Sequence, residues 1–205
     1  MKLMRTLFAS ILLTCAGVAF AASSPNPMVM LKNITGNLLS SLSKNQVKLR
    51  ANPTYVYSIV NRILLPKVDV QVMSMTVLGR NGWYRATPSQ RTQFTKAFTT
   101  TVVKTYASAL NAYTNETIKF YPIRGGYQGR TVLQVNSQIL RPDGPPVPVS
   151  YSLVLRNGNW KVYDLNVEGI SLLQSFRSQF ASQLAQGYSV AKIIQTLKSH
   201  NAKMK

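Results

Sequence analysis

An α+β fold is predicted: helices, then a four-stranded antiparallel meander, then helices, with the helices covering one sheet face and an apolar cavity between the two layers. Three observations predict it. Apolar residues recur at three- and four-residue steps up to Tyr113, alternate from Glu116 to Val167, and return to helical steps after Gly169. Thr87-Pro88-Ser89-Gln90 combines a cap, a first-turn proline and a Gln placed for a capping box. Asn157-Gly158 sits between two alternating runs, where it signals a two-residue hairpin.

The chain opens with Lys2 and Arg5, an apolar stretch from Leu7 to Val18, and Ala19-Phe20-Ala21. That is the three-part layout of a secretory signal peptide cleaved after Ala21, so residues 1–21 are read as a leader and 22–205 as one domain. Two other readings of the segment are an uncleaved anchor and, through Cys15, a lipoprotein signal, for which Thr14 is a poor preceding residue. Met28, Leu31, Ile34, Leu38 and Leu42 then form a helical stripe. Asn52-Pro53 reads as the start of a helix through about Leu64, which Pro66 ends. A further helix from Asp69 to Leu78 stops at Gly79.

The helix opened by Thr87 carries Phe94, Phe98, Val102, Tyr106 and Leu110 at steps of four, a stripe that faces one partner surface. Residues 116–123, 129–140, 147–156 and 160–167 read as the four strands. Gly125-Gly126, the Pro142–Pro146 segment and Asn157-Gly158 join them. From Gly169 the chain returns to helix with Ile170, Leu173, Phe176, Phe180 and Leu184 on one stripe. Gly187 breaks it, Ser189 caps the next helix, and Val190, Ile193, Ile194 and Leu197 form the last stripe.

The composition narrows the chemistry. The 205 residues include 24 Lys or Arg, 5 Asp or Glu, one His and one Cys. Removal of the leader takes Cys15, Lys2 and Arg5, and leaves a thiol-free chain of formal charge +17. Its core must therefore hold it together without disulfides. An acid/base pair would have to use Asp164 and Glu168, but four residues along a strand is about 13 Å, beyond the usual carboxylate separation. Asp164 is better read as a hydrogen-bonded strand residue and Glu168 as a turn residue. His200 lies in a Lys-rich tail that positions a base poorly. No metal-ligand spacing, phosphate-binding glycine loop or nucleophile elbow is present. The excess of cations calls for an anionic partner. An export signal, the lack of a dense basic block and the lack of an aromatic RNA-binding signature argue against nucleic acid.

Two stretches carry a family resemblance. The first is Asp69, Val77-Leu78-Gly79-Arg80, Trp83, Thr87-Pro88, Gln90-Arg91, Phe94, Phe98 and the run Thr105 to Leu110. The second is Trp160-Lys161-Val162-Tyr163-Asp164, then Val167-Glu168-Gly169-Ile170-Ser171-Leu172, then Arg177-Ser178-Gln179-Phe180. In order and spacing this resembles the MlaC, or toluene-tolerance auxiliary, family of periplasmic phospholipid-binding proteins over nearly all of residues 22–205. Met73-Ser74-Met75, where the family pattern often has charges, and Gly82 before Trp83 depart from it, on a helix face and in a loop.

The resemblance implies a carrier without enzymatic activity, metal or cofactor, whose cargo is a phospholipid held by its acyl tails. It also implies exchange with an outer-membrane lipoprotein complex and an inner-membrane ABC-type transporter, which maintains outer-membrane lipid asymmetry. Transient membrane contact and a monomeric state go with it. An exported adaptor for acidic proteins and an exported hydrolase on a similar scaffold are the competing readings. The lining expected from these elements is Val149, Tyr151 and Leu153 of the third strand, Leu165 and Val167 of the fourth, Ile170 and Leu173 after the turn, and Tyr106 and Leu110 of the long helix. Gly169 is the expected pivot for opening.

Overall fold

The computed structural model describes residues 25–112 and 115–204. The expected leader lies outside the described residues. Helix α1 (Pro27–Lys44) starts where Asn26 accepts a hydrogen bond from the Met28 amide at 2.9 Å, with proline in the first turn. A short α2 (Gln46–Ala51) and α3 (Tyr55–Ile63) follow. Asn52 does not cap α3 directly. Its Oδ1 accepts from the Thr54 amide and hydroxyl, closing a turn that delays the helix by two residues.

Helix α4 (Val70–Arg85) is capped by Asp69, whose Oδ1 accepts from the Val72 amide at 2.9 Å. Asp69 also pairs through Oδ2 with Arg156 Nε at 3.2 Å, and its amide donates to the Val162 carbonyl. The first helical run stops at Gly79, as expected. Gly79 takes φ 70°, ψ 167°, a kink across which the helix resumes and runs to Arg85. Gly82, expected in a loop, therefore sits in the second half of α4. Helix α5 (Pro88–Ala107) has the expected capping box, with Gln90 N–H to Thr87 Oγ1 at 3.2 Å and Thr87 N–H to Gln90 Oε1 at 2.9 Å.

The sheet is a meander in the order β1 to β5: β1 (Thr117–Phe120), β2 (Val132–Leu140), β3 (Val147–Arg156), β4 (Asn159–Val167) and a two-residue β5 (Ile170–Ser171). All neighbours are antiparallel. The first strand is shorter than expected, and the fifth is additional. Asn157 and Gly158, both at positive φ, make the β3–β4 turn. Glu168 and Gly169 do the same between β4 and β5, at φ 52° and 87°. Gly169 is thus a hairpin residue and not the first turn of a helix, which corrects the expected element order. Helix α6 (Leu172–Ala185) begins after Ser171, whose Oγ accepts from Gln174 N–H at 3.0 Å. Helix α7 (Val190–Lys203) is capped by Ser189. Its C-terminal end is not frayed, because Lys104 Nζ donates to the Asn201 carbonyl at 2.8 Å and the Met204 carbonyl at 2.6 Å.

Apolar side chains gather in three clusters. Helices α4 to α7 share Val77, Trp83, Phe94, Phe98, Phe180 and Ile193 with their neighbours. Helices α1, α2 and α3 share Leu42, Leu49, Val56 and Ile59 with Ala107 of α5. The N-terminal half of α1 lies across one sheet face, where Leu31 meets Leu133, Val135, Leu153 and Trp160. The Trp160 indole N–H donates to the Pro25 carbonyl at 2.8 Å. The other face carries Gln134, Asn136 and Ser150, with Ser150 Oγ donating to Asn136 Oδ1 at 2.9 Å.

The long α5 stripe does not face one surface. At 3.6 residues per turn, steps of four drift by about 40° each. Phe94 and Phe98 join the α4–α7 cluster, whereas Leu110, in the 3₁₀ turn Ser108–Ala112, joins the α1–α3 cluster.

Candidate functional site

Strand register decides which sequence-level candidates meet. Directly opposed residues of an antiparallel pair project to the same side. Phe120 pairs with Ser137, Ser137 with Val149, Val149 with Val167, and Val167 with Ile170. One rung thus crosses all five strands, and only Ser137 on it is polar. The next rung holds Val135, Tyr151 and Leu165, and the one after that Leu133 and Leu153. Between Ser152 and Leu153 the register with β4 shifts by one residue, a bulge that brings Val162 opposite Leu153.

Cover over this face falls away from one end to the other. Leu153 is 0% exposed beneath Leu31. Val149 is buried, Tyr151, Leu165 and Val167 are half-buried, and Ile170 is 65% exposed. Ile118, Ile139 and Val147 at the same end are half-buried as well. The face is thus roofed by α1 near Trp160 and open near the β4–β5 turn. An apolar surface left partly uncovered in this way is suited to an apolar ligand.

Two hydroxyls interrupt the apolar floor. Ser137 is buried, with its Oγ 3.4 Å from the Val149 carbonyl and 3.5 Å from the Tyr151 hydroxyl. Burial pushes the Tyr151 hydroxyl pKa above its ordinary value of 10.0, and the Ser137 contact offsets part of that rise. The Tyr151 ring lies 5.8 Å from that of Phe120. The floor is therefore neutral at physiological pH.

Six of the nine candidates, Val149, Tyr151, Leu153, Leu165, Val167 and Ile170, share this face. Leu173 is instead packed in the α4–α7 cluster and Leu110 against the α1–α3 cluster. Tyr106 meets Phe176 of α6 at 6.4 Å, and burial raises its hydroxyl pKa too. Leu110 lines a separate recess of about 500 Å³ with Leu42, Leu49, Arg50 and Pro53. Sequence reasoning passed over Phe120, Ser137, Ile139 and Val147. Alternation along the first three strands was the signal for the apolar members, whereas Ser137 breaks the apolar pattern and can be found only through register.

Of the two carboxylates considered for catalysis, Asp164 is engaged by hydrogen bonds. Asp164 Oδ1 accepts from the Leu165 and Leu173 amides at 2.8 and 3.2 Å, and Oδ2 accepts from Ser171 Oγ at 2.6 Å. Glu168 is exposed on the hairpin turn. Among the described residues no three His, Cys, Asp or Glu side chains group as metal ligands, and no helix is long and apolar enough to cross a membrane.

Residues 32–199 match the profile of the family described as MlaC protein. The chain belongs to the MlaC family. Among curated MlaC relatives, the toluene tolerance protein ttg2D of Pseudomonas putida is 32% identical over 164 residues, 80% of this chain and 74% of that protein. The intermembrane phospholipid transport system binding protein MlaC of Haemophilus influenzae is 30% identical over 159 residues, 75% and 72% of the two chains. A solved phospholipid-binding protein from Ralstonia solanacearum, in complex with a phospholipid, superposes with a TM-score of 0.80 at 27% identity. The match covers 87% of this chain and 98% of that one. The range matched by the family profile includes residues 73–75 and 82, where the chain departs from the expected pattern.

Proposed function

We propose that this protein is a periplasmic phospholipid carrier, exported by a leader cleaved after Ala21. The observation that carries the reading is the likeness, over nearly its whole length, to a solved protein in complex with a phospholipid. Acyl tails lie along the partly open sheet face over Val149, Tyr151, Leu165 and Val167, with the headgroup toward the open end at Ile170. Leu153 closes that space at the end covered by α1.

The energetics suit a carrier. An acyl chain of about 16 carbons gains roughly 13 kcal/mol on leaving water, at ~0.8 kcal/mol per methylene. A bilayer offers nearly the same gain, so movement between membrane and protein is close to balanced. An uncharged floor with one end uncovered meets that requirement without headgroup-specific contacts. The Glu168-Gly169 turn, where β5 has only two residues to hold it, is the pivot for opening.

The carrier exchanges lipid with an outer-membrane lipoprotein complex and an inner-membrane ABC-type transporter, and so supports outer-membrane lipid asymmetry. It performs no chemistry on the lipid and needs no cofactor. Organic extraction of the purified chain followed by mass spectrometry tests the reading. Phospholipid near one molecule per chain is expected, and a well-folded chain without phospholipid overturns it.

A further inference from the structure

The helical side of the molecule has an extreme charge pattern. Residues 70–112 and 172–204, which hold α4 to α7, include nine Lys or Arg and no Asp or Glu. At the α4–α5 corner this cationic surface surrounds an exposed aromatic ring. Tyr84 is 67% exposed, with the guanidinium carbon of Arg80 5.8 Å from its ring centroid and that of Arg91 5.9 Å away. Arg91 also lies 5.4 Å from the Trp83 ring, and its Nε donates to the Trp83 carbonyl at 2.8 Å. That bond uses one of five guanidinium N–H donors. The four on the terminal nitrogens have no hydrogen-bond partner among the described residues.

We infer that Tyr84, Arg80 and Arg91 form a docking site for an acidic protein surface. Its carboxylates meet the guanidinium forks while the ring packs between them. Arg91 is already fixed against a carbonyl and two rings, so little side-chain freedom is lost when a carboxylate binds its free edge. Tyr and Arg are also the residue types that dominate interface hot spots.

Position favours a protein over a bilayer. Gly82 packs against Leu184, near the far end of α6 from Ile170: a Cβ there would lie 3.0 Å from Leu184 Cδ1. Twelve residues of helix separate Leu184 from Leu172, about 18 Å. A membrane docked on Tyr84 would stand away from the open end of the sheet. A protein docked there holds the carrier while leaving that end free for exchange. The inference rests on the carrier reading, since it supplies that carrier with its anchorage.

The test titrates the full mature chain with the two purified complexes named above and, separately, with vesicles of 70% phosphatidylcholine and 30% phosphatidylglycerol. The variants are Tyr84→Ser, Arg80→Gln and Arg91→Lys. Each is expected to weaken binding to at least one complex by about tenfold, with phospholipid per chain and unfolding midpoint unchanged for the exposed Tyr84 and Arg80 variants. Full affinity of the Tyr84→Ser/Arg80→Gln double variant for both complexes overturns the inference, as does a loss confined to the vesicles. A chain that carries no phospholipid yet loses complex binding on substitution sinks the carrier reading and upholds the docking site.

Discussion

The Ser171 hydroxyl donates to Asp164 Oδ2 over 2.6 Å, joining β4 to the cap of α6 across the Glu168-Gly169 hairpin. The same carboxylate accepts two amides, Leu165 and Leu173. Three donors on one half-buried carboxylate make it a structural clamp at the open end of the sheet. Asp164→Ala is expected to cost about 3 kcal/mol, as loss of a hydrogen-bonded charge with several donors does. Urea unfolding checks this, and a cost under about 0.5 kcal/mol would remove Asp164 from that role.

Ile170 reads out the proposed lipid site with little risk to folding, because it is 65% exposed on a two-residue strand. Ile170→Glu places a charge on the rung of Val149 and Val167, where acyl tails are proposed to enter. The variant is expected to unfold within about 2 °C of the parent, as surface substitutions do, and to lose most co-extracted phospholipid. Normal lipid content in this variant would move the tails away from that rung.

Tyr151 links the floor to alkaline pH. Burial raises its folded-state pKa above 10.0, so the folded chain holds this proton more tightly than the unfolded chain. The resulting stability is fully present below pH 10 and is lost as pH rises through the folded-state value. Tyr151→Phe removes this dependence. Unfolding midpoints measured from pH 8 to 11 are expected to fall less steeply for Tyr151→Phe than for the parent, and parallel curves would refute the assignment.

Gly79 holds a backbone conformation, φ 70° and ψ 167°, that is essentially restricted to glycine. A Cβ there would meet nothing within 4 Å, so the constraint lies in the backbone alone. Gly79→Ala is expected to destabilise by about 1–3 kcal/mol in denaturant titration. A neutral or stabilising result would mean that α4 straightens through this point.

At the other end of the helical layer, Asn201 accepts from Thr101 Oγ1 at 2.8 Å and donates Nδ2–H to the Ala97 carbonyl at 2.8 Å. Asn201→Leu removes both bonds between α7 and α5, but Thr101 Oγ1 still reaches the Ala97 carbonyl at 3.0 Å, so the expected cost is about 1–2 kcal/mol. Hydrogen exchange at α7 amides is the discriminating measurement. It accelerates if this clamp holds the helix and stays unchanged if apolar packing alone suffices.

The sequence by itself determined the α+β order and most helix starts. It also determined the Asn157-Gly158 hairpin and the poverty of chemistry-bearing side chains. Each of these is local: a cap such as Thr87-Gln90 is closed by residues three apart, and period-two alternation exists within one strand. It also carried the family, because the spacing of Trp160, Asp164, Gly169 and Phe180 survives in the linear text. What only the tertiary structure decided was long-range. The Gly79 kink needs a helix to resume beyond it, which composition does not announce. The division of the α5 stripe between two clusters follows from where α1 and α6 lie. The rung from Phe120 to Ile170 exists only through register, since pairing fixes which half-buried residues share a face. The anionic-partner expectation was legible as a charge count, but the place where a partner would grip, Tyr84 between Arg80 and Arg91, appears only once α4 and α5 turn back on each other.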